Sequence, residues 1–313
     1  MRQLGDSSSH LEWNGPKLPN SICNEIAIVG AASSVGRFLA ERFKASGIAF
    51  HAIGRQTRRL KGYHVHSFDD ALKRFDPPIK TADAVISCAP LPIIERVVDI
   101  ADYLHAKRII AFGSTGRFSK VVSSSPIEQS FVNQQIQAEQ RFEALSRQRG
   151  IAWTLFRPTM IYGGGSDLNV ALIGSFIRKF GFFPVPQGAR GLRQPVHADD
   201  LAQACLAALT CKRTFARAYD LGGAERLTYP EMVERIFRAL DKRPMIVPLP
   251  LRIFKLMVRV VRKVRRYRFI NADMVDRMLV DLITDNSHAV GDFGYSPRRF
   301  FPTFADIYES PSS

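Results

Sequence analysis

The segment Glu25–Ala45, EIAIVGAASSVGRFLAERFKA, constrains the fold of this chain more than any other. Ile26–Val29 is a short, mostly β-branched run, and it leads directly into Gly30-Ala-Ala-Ser-Ser-Val-Gly36. Gly36 then opens a helical pattern whose apolar side is Phe38, Leu39 and Phe43. A strand that turns tightly into a helix aims free backbone N–H groups and the positive helix end at one point. Such a point suits a pyrophosphate. The spacing from Gly30 to Gly36 fits G-x-x-G-x-x-G, with Ser33 in place of the middle glycine. Glycine there gives a phosphate its closest approach, and serine is the next smallest residue that can hydrogen-bond. A tight turn with no ligand fits the same residues, so the rest of the chain has to decide.

The chain has 313 residues, 46% of them apolar, enough for one large α/β domain and a smaller appended one. Strand-like runs alternate with helical patterns, which predicts a doubly wound parallel sheet with helices on both faces. The runs are Ala49–Arg55, Tyr63–Phe68, Ala82–Ala89, Arg108–Phe112 and Ala152–Phe156. Helices are expected over Ile93–Ala106, Val132–Arg147 and Asp167–Phe180. Residues 1–22 look like a disordered lead-in, and 23–165 like the first domain, with 194–223 returning to it. Residues 166–193 and 224–313 would form the second. Asp199 and Asp200 are expected to cap the helix that follows Val196.

Four cysteines, Cys23, Cys88, Cys205 and Cys211, have no metal-ligand spacing and suggest reduced thiols of a cytoplasmic protein. No apolar run reaches 18 residues. A formal charge of +15 favours an anionic partner: nucleotide phosphate, acidic lipid or nucleic acid.

Six motifs in order, VGAASSVG, DAVISCAP, AFGST, FRPTMIYG, PVHADDLAQA and YDLGG, resemble the extended short-chain dehydrogenase/reductases, the family of nucleotide-sugar epimerases and dehydratases. The resemblance spans roughly residues 25–305. It implies a Rossmann fold, an NAD(P) site and a cleft against a smaller C-terminal α/β substrate domain. By position, Gly30, Ser33, Ser34, Val35 and Gly36 would wrap the pyrophosphate. Ala89 and Pro90 would pass beside the ribose and diphosphate, and Pro158 and Ile161 would lie against the nicotinamide. Thr115, with Ser114 beside it, falls where the family places a hydroxyl that bonds the reacting oxygen. A strand-end residue bonding to backbone is the other reading of Thr115. Arg190 and Arg193 stand where relatives meet a substrate diphosphate, or else on a solvated loop. Family members often form homodimers.

The cofactor choice turns on the end of the second strand, where a carboxylate favours NAD and arginine favours a 2′-phosphate. This chain has Arg55, then Arg58 and Arg59 one turn on, and no acid, which points to NADP over NAD. The family's redox pair, Tyr-x-x-x-Lys, is missing. Phe131 and Gln135 occupy its positions, and no tyrosine lies between Tyr103 and Tyr162. Phenylalanine cannot transfer a proton, and glutamine can bond a ribose without supplying charge. Either another group acts, such as Thr115, Ser114, Glu128 or water, or the nucleotide is held without turnover. A nucleotide-holding accessory subunit of respiratory complex I is a relative of the second kind.

Leu251–Phe269, LRIFKLMVRVVRKVRRYRF, has eight basic residues and no acid between Arg252 and Arg268. On a helix, Arg252, Lys255, Arg259, Arg262, Lys263 and Arg266 fall on one face. Ile253, Phe254, Met257, Val260, Val261 and Val264 fall on the other. Such a helix can lie in an anionic membrane surface, or its apolar side can face a core. Stacking platforms and nucleic-acid-reading motifs are absent, which argues against a nucleic-acid partner. The expectation is a peripheral protein on the inner membrane face, with a small-molecule or lipid-linked substrate. His197 with Asp199 and Asp200 has metal-ligand residue types, but its strand-to-helix position favours capping.

Overall fold

The structure is a computed structural model. It describes residues 25–308 apart from 56, 57, 61, 62, 70–73, 77, 120–125, 166, 168, 262, 264–274 and 276. The first half alternates strands and helices: β1 (Glu25–Val29), α1 (Ser34–Ala45), β2 (Ala49–Gly54), β3 (Arg58–Leu60), β4 (Tyr63–Asp69), β5 (Arg74–Asp76), β6 (Ala84–Ser87), α2 (Ile94–Tyr103), β7 (Arg108–Phe112), α3 (Gly116–Ser119), α4 (Pro126–Gln148) and β8 (Ala152–Pro158). Then come β9 (Ile161–Tyr162), α5 (Val170–Phe180), β10 (Phe183–Pro186), β11 (Leu192–Arg193), β12 (Val196–His197), α6 (Ala198–Thr210), β13 (Arg217–Leu221), β14 (Leu227–Thr228), α7 (Tyr229–Ala239), β15 (Ile246–Leu249) and α8 (Leu251–Val261). Short helices at Ser287–Phe293 and Phe304–Tyr308 follow.

The main sheet runs β13-β8-β7-β6-β1-β2-β4-β3, with β5 beside β4. Strands from β13 to β4 pair in parallel, while β3 and β5 are antiparallel additions at one edge. The central strands read as continuous apolar runs because both faces are covered. One face packs α1 and α6 through Leu39, Phe43, Leu201 and Leu209, and the other packs α2 and α4 through Val97, Val98, Ala138 and Phe142. A third core gathers Ile173, Ile177, Met232, Ile236 and Phe237 from α5 and α7.

Two readings are corrected at this level. Arg58 and Arg59 are not one helical turn beyond Arg55. They lie on β3, which folds back antiparallel on β4, pairing Arg58 with Val65. Asp199 and Asp200 are not the caps of α6. That cap is His197, whose Nδ1 accepts from Asp199 N at 3.1 Å.

The two carboxylates instead bind arginines from elsewhere in the chain. Asp199 takes Arg42 Nε at 2.5 Å and Arg298 Nη2 at 2.6 Å. Asp200 takes Arg298 N and Nε at 2.9 and 2.7 Å. These bonds tie α1, α6 and the segment around Arg298 together.

The single apolar face expected for α8 is divided. Phe254 and Val258 turn inward with Val275, while Ile253, Leu256 and Val260 are more than half exposed. At 100° per residue the two sets sit on adjacent stripes, so one buried face leaves the other outside. Of the rest of the expected helix, residue 262 and residues 264–269 lie outside the described residues.

Burial opposes ionisation of Asp199, yet Arg42 and Arg298 hold its carboxyl below the usual carboxylate range. A depressed folded pKa contributes stability that is present at neutral pH and lost as pH falls through that pKa. Thermal melting between pH 7 and 3 is expected to show a falling Tm on the acid side, with a shallower fall in Asp199→Asn. Arg298→Ala leaves Asp200 buried without its partner, and is expected to cost roughly 1.5–3 kcal/mol in denaturant unfolding at pH 7.

Candidate functional site

In the strand order, β1 lies between β6 and β2, so the chain reverses direction across the sheet beside β1. Crevices at the carboxyl ends of such strands are where open α/β sheets take ligands. The loop leaving β1 and the loop leaving β6 meet there. Gly30 has φ +78°, and a Cβ on it would stand 3.0 Å from Ala89 N and Cys88 C. A Cβ on Gly36 would stand 2.6 Å from Gly30 O and 2.7 Å from Ala31 Cα. Both glycines are therefore required by the turn itself.

Ser33 is the N-cap of α1: its Oγ accepts from Gly36 N at 3.1 Å. That explains serine in place of the middle glycine, because the side chain closes the first turn. Ser34, Val35 and Gly36 form that turn, and no acidic residue stands in it. The positive end of α1 is left to attract an anion. Burial pushes the Cys88 thiol, bonded to Ser33 at the same junction, up to about 12.

Ala89 and Pro90 follow β6 at the mouth of the crevice, and Arg55 is exposed just past β2. The side chain of Arg58 lies outside the described residues. On α4, Phe131 and Gln135 are one turn apart, the first half-buried and the second buried. Gln135 Oε1 has no hydrogen-bond partner among the described residues. A buried carbonyl oxygen left unmatched in a native fold signals a missing donor. The cramped glycine turn, the unopposed helix end and this oxygen together fit a dinucleotide with ribose hydroxyls.

Beyond β7, Thr115 N and Oγ1 both donate to Pro158 O, at 3.1 and 3.2 Å. Ser114 Oγ accepts from Gly116 N at 3.0 Å. Both hydroxyls are partly exposed beside Pro158, with Ile161 three residues further along. Thr115 therefore makes the backbone bond, and polarising a substrate oxygen would require its hydroxyl to turn away from Pro158.

Two residues named from sequence are used otherwise. Arg193 is 2% exposed. Its Nη1 donates to Leu192 O and Val280 O at 2.7 and 2.9 Å, and its Nη2 to Arg277 O. An arginine bound to three carbonyls holds loops together and is not set to meet a diphosphate. Arg190 is exposed, so of this pair only Arg190 offers its charge to solvent. Glu128 is buried in an ion pair with Arg277.

Sequence reasoning missed a polar cluster behind Gly113. Arg157 donates to Glu139 Oε2 from Nε and Nη2, at 3.0 and 2.7 Å, and lies 3.4 Å from Asp220 Oδ1. Arg117 also binds Glu139. Burial raises the Asp220 pKa against the pull of Arg157. The adjacency of Arg157 to Pro158 was the only sign in the sequence, since the partners come from α3, α4 and β13. Among the described residues, no group of three or more His, Cys, Asp or Glu side chains could hold a metal ion.

A second unforeseen feature is a cavity of about 360 Å³ between α5, β10 and α8. Met160, Ile173, Phe176, Phe183, Phe254 and Met257 make up much of its wall. Met160 is two residues past Pro158.

A family model described as NAD(P)H-binding matches residues 30–212, more than half of the chain. The chain belongs to the NAD(P)H-binding family. Its sheet has the Rossmann-like fold seen in epimerase and short-chain dehydrogenase/reductase structures.

UDP-glucose 4-epimerase of Vibrio cholerae is 23% identical, with 90% of this chain and 92% of that protein aligned. A second relative is the mitochondrial NADH dehydrogenase [ubiquinone] 1 alpha subcomplex subunit 9 of Arabidopsis thaliana. It is 31% identical over 157 residues, which make up 47% of this chain and 39% of that subunit. Among solved structures, a short-chain dehydrogenase/reductase superfamily protein from Agrobacterium tumefaciens with bound NAD superposes with a TM-score of 0.63 at 12% identity. That superposition covers 90% of this chain and 94% of the other.

Gly36→Val in this NAD(P)H-binding protein drives side-chain atoms into the Gly30 carbonyl. Calorimetry is expected to find NADPH and NADH binding abolished, with the fold destabilised by about 1–3 kcal/mol. Gln135→Leu removes the unmatched oxygen and is expected to weaken the dinucleotide several-fold while raising Tm slightly.

Proposed function

We propose that this protein is an atypical oxidoreductase or epimerase-like enzyme that prefers NADP(H) to NAD(H). It acts on a lipid-linked or nucleotide-sugar substrate at the cytoplasmic face of a membrane. The observation that carries the reading is the glycine turn at the sheet's reversal point, with the partly exposed Ser114 and Thr115 hydroxyls at the end of β7.

Bound nicotinamide dinucleotide would supply hydride exchange with a substrate carbon. This chain's residues would hold and orient. Ser33, Gly36 and the first turn of α1 seat the diphosphate. Ala89 and Pro90 border the ribose, and Gln135 accepts from a ribose hydroxyl. Pro158 and Ile161 pack the reactive ring. Arg55 meets a 2′-phosphate from the end of β2. Thr115, its hydroxyl turned away from Pro158 O, would donate a hydrogen bond that polarises the substrate oxygen, with Ser114 alongside. Phe131 carries no proton, so general acid–base help is weak and turnover slow.

A second reading, a nucleotide-holding subunit or assembly factor without turnover, has its own support. The Thr115 hydroxyl is already given to Pro158, and a relative is named as a subunit of NADH dehydrogenase.

NADPH oxidation with membrane-lipid or sugar-nucleotide extracts separates the two. The enzyme reading expects turnover that falls about 10²-fold or more in Thr115→Ala, the usual loss for one hydrogen-bond donor to the reacting oxygen, with NADPH affinity unchanged. Tight NADPH retention with no turnover in any extract would establish the second reading.

A further inference from the structure

The cavity beside α8 has an unusual wall for a protein whose relatives take sugar nucleotides. Four of its lining residues are phenylalanines from Phe176 to Phe183, stacked within 4.6–6.4 Å of one another. Its two arginines are both committed to the protein. Arg193 donates to three backbone carbonyls, and Arg277 pairs with Glu128. Among the described residues of the wall, a diphosphate entering this space would find no cation that is not already engaged, and its desolvation would go uncompensated. A volume of about 360 Å³ lies within the range of small-molecule sites.

The wall and the outer surface share one helix. Phe254, Met257 and Val258 of α8 face the cavity. On the adjacent stripe, Ile253, Leu256 and Val260 are 53, 57 and 57% exposed. Arg252, Arg259 and Lys263, also exposed, border that stripe. An exposed apolar strip edged by cations has the chemistry of a helix seated in an anionic bilayer. Among the described residues no helix is long and apolar enough to cross one. Phe180, at the cavity rim, is 46% exposed as well. Met160 of the wall is two residues past Pro158, whose carbonyl accepts from Thr115.

We infer that this cavity takes the hydrocarbon chain of a membrane lipid, which enters along α8 and places its head group beside Thr115. The inference rests on the enzyme reading above and selects its lipid-linked form over the nucleotide sugar. The Phe176–Phe183 cluster grips the chain, and the α8 stripe holds the protein where such chains are found.

Fluorescence titration of the full chain with cis-parinaric acid tests this, alongside an NADPH titration of the same samples. Micromolar binding is expected, displaced by hexadecanol and not by UDP-glucose. Leu172→Trp and Met257→Trp, which fill the cavity, are expected to lose at least tenfold in parinaric affinity with NADPH affinity kept. Ile253→Ser with Leu256→Ser should keep parinaric binding in solution but lose at least fivefold in sedimentation with phosphatidylglycerol-containing vesicles. Arg259→Glu with Lys263→Glu should do the same, which separates uptake from a bilayer from uptake of free chains.

Circular dichroism checks each variant. If both tryptophan variants unfold, competition by hexadecanol against UDP-glucose in the wild type still decides. No parinaric signal in a wild type that binds NADPH overturns the chain site and leaves the dinucleotide reading intact. Parinaric binding without NADPH binding does the reverse. Displacement by UDP-glucose, or unchanged affinity in folded cavity-filled variants, also overturns the inference.

Discussion

The close backbone contact between the end of β1 and the start of α1 is what the rest of the molecule is arranged around. No Cβ fits between residue 36 and the Gly30 carbonyl, and none fits between residue 30 and the chain leaving β6. That contact sets the first helix against the sheet and brings two strand ends together at the reversal point. It also leaves the helix terminus open with Ser33 as its cap. A loop so tight has little tolerance for substitution, and its geometry is that of an anion seat.

Positive charge is distributed in a way that composition conceals. Many arginines work inside the protein. Arg108 is fully buried, its Nη2 donating to Thr154 Oγ1, Thr214 Oγ1 and Ala208 O, with its guanidinium 4.5 Å above Phe215. Arg157 joins α4 to β13 through Glu139 and Asp220. Arg193 and Arg277 close one side of the apolar cavity. The +15 is therefore partly structural, and the exposed cations on α8 stand out against it. Buried guanidinium groups satisfied by carbonyls and hydroxyls keep their hydrogen bonds but attract no ligand.

The doubly wound sheet was legible because its signals are local. Continuous β-branched runs, glycines at fixed spacing and alternation with helices mark each unit, and Gly30 and Gly36 could be named before any coordinate. The antiparallel strands β3 and β5 were not legible, since each is three residues long and carries no alternating pattern. Arg193 was misread for a different reason. Its partners are carbonyls of residues 277 and 280, which no motif announces. The split face of α8 depends on what packs beneath it, and helical periodicity alone cannot say which half of an apolar arc is covered. The cavity depends on α5, β10 and α8 converging, a long-range outcome with no sequence signature.

Isothermal titration of the purified chain with NADPH and NADH tests the central claim most directly. The glycine turn predicts one dinucleotide site per chain, with binding lost in Gly36→Val. A folded wild-type chain that releases no heat with either coenzyme would contradict the account.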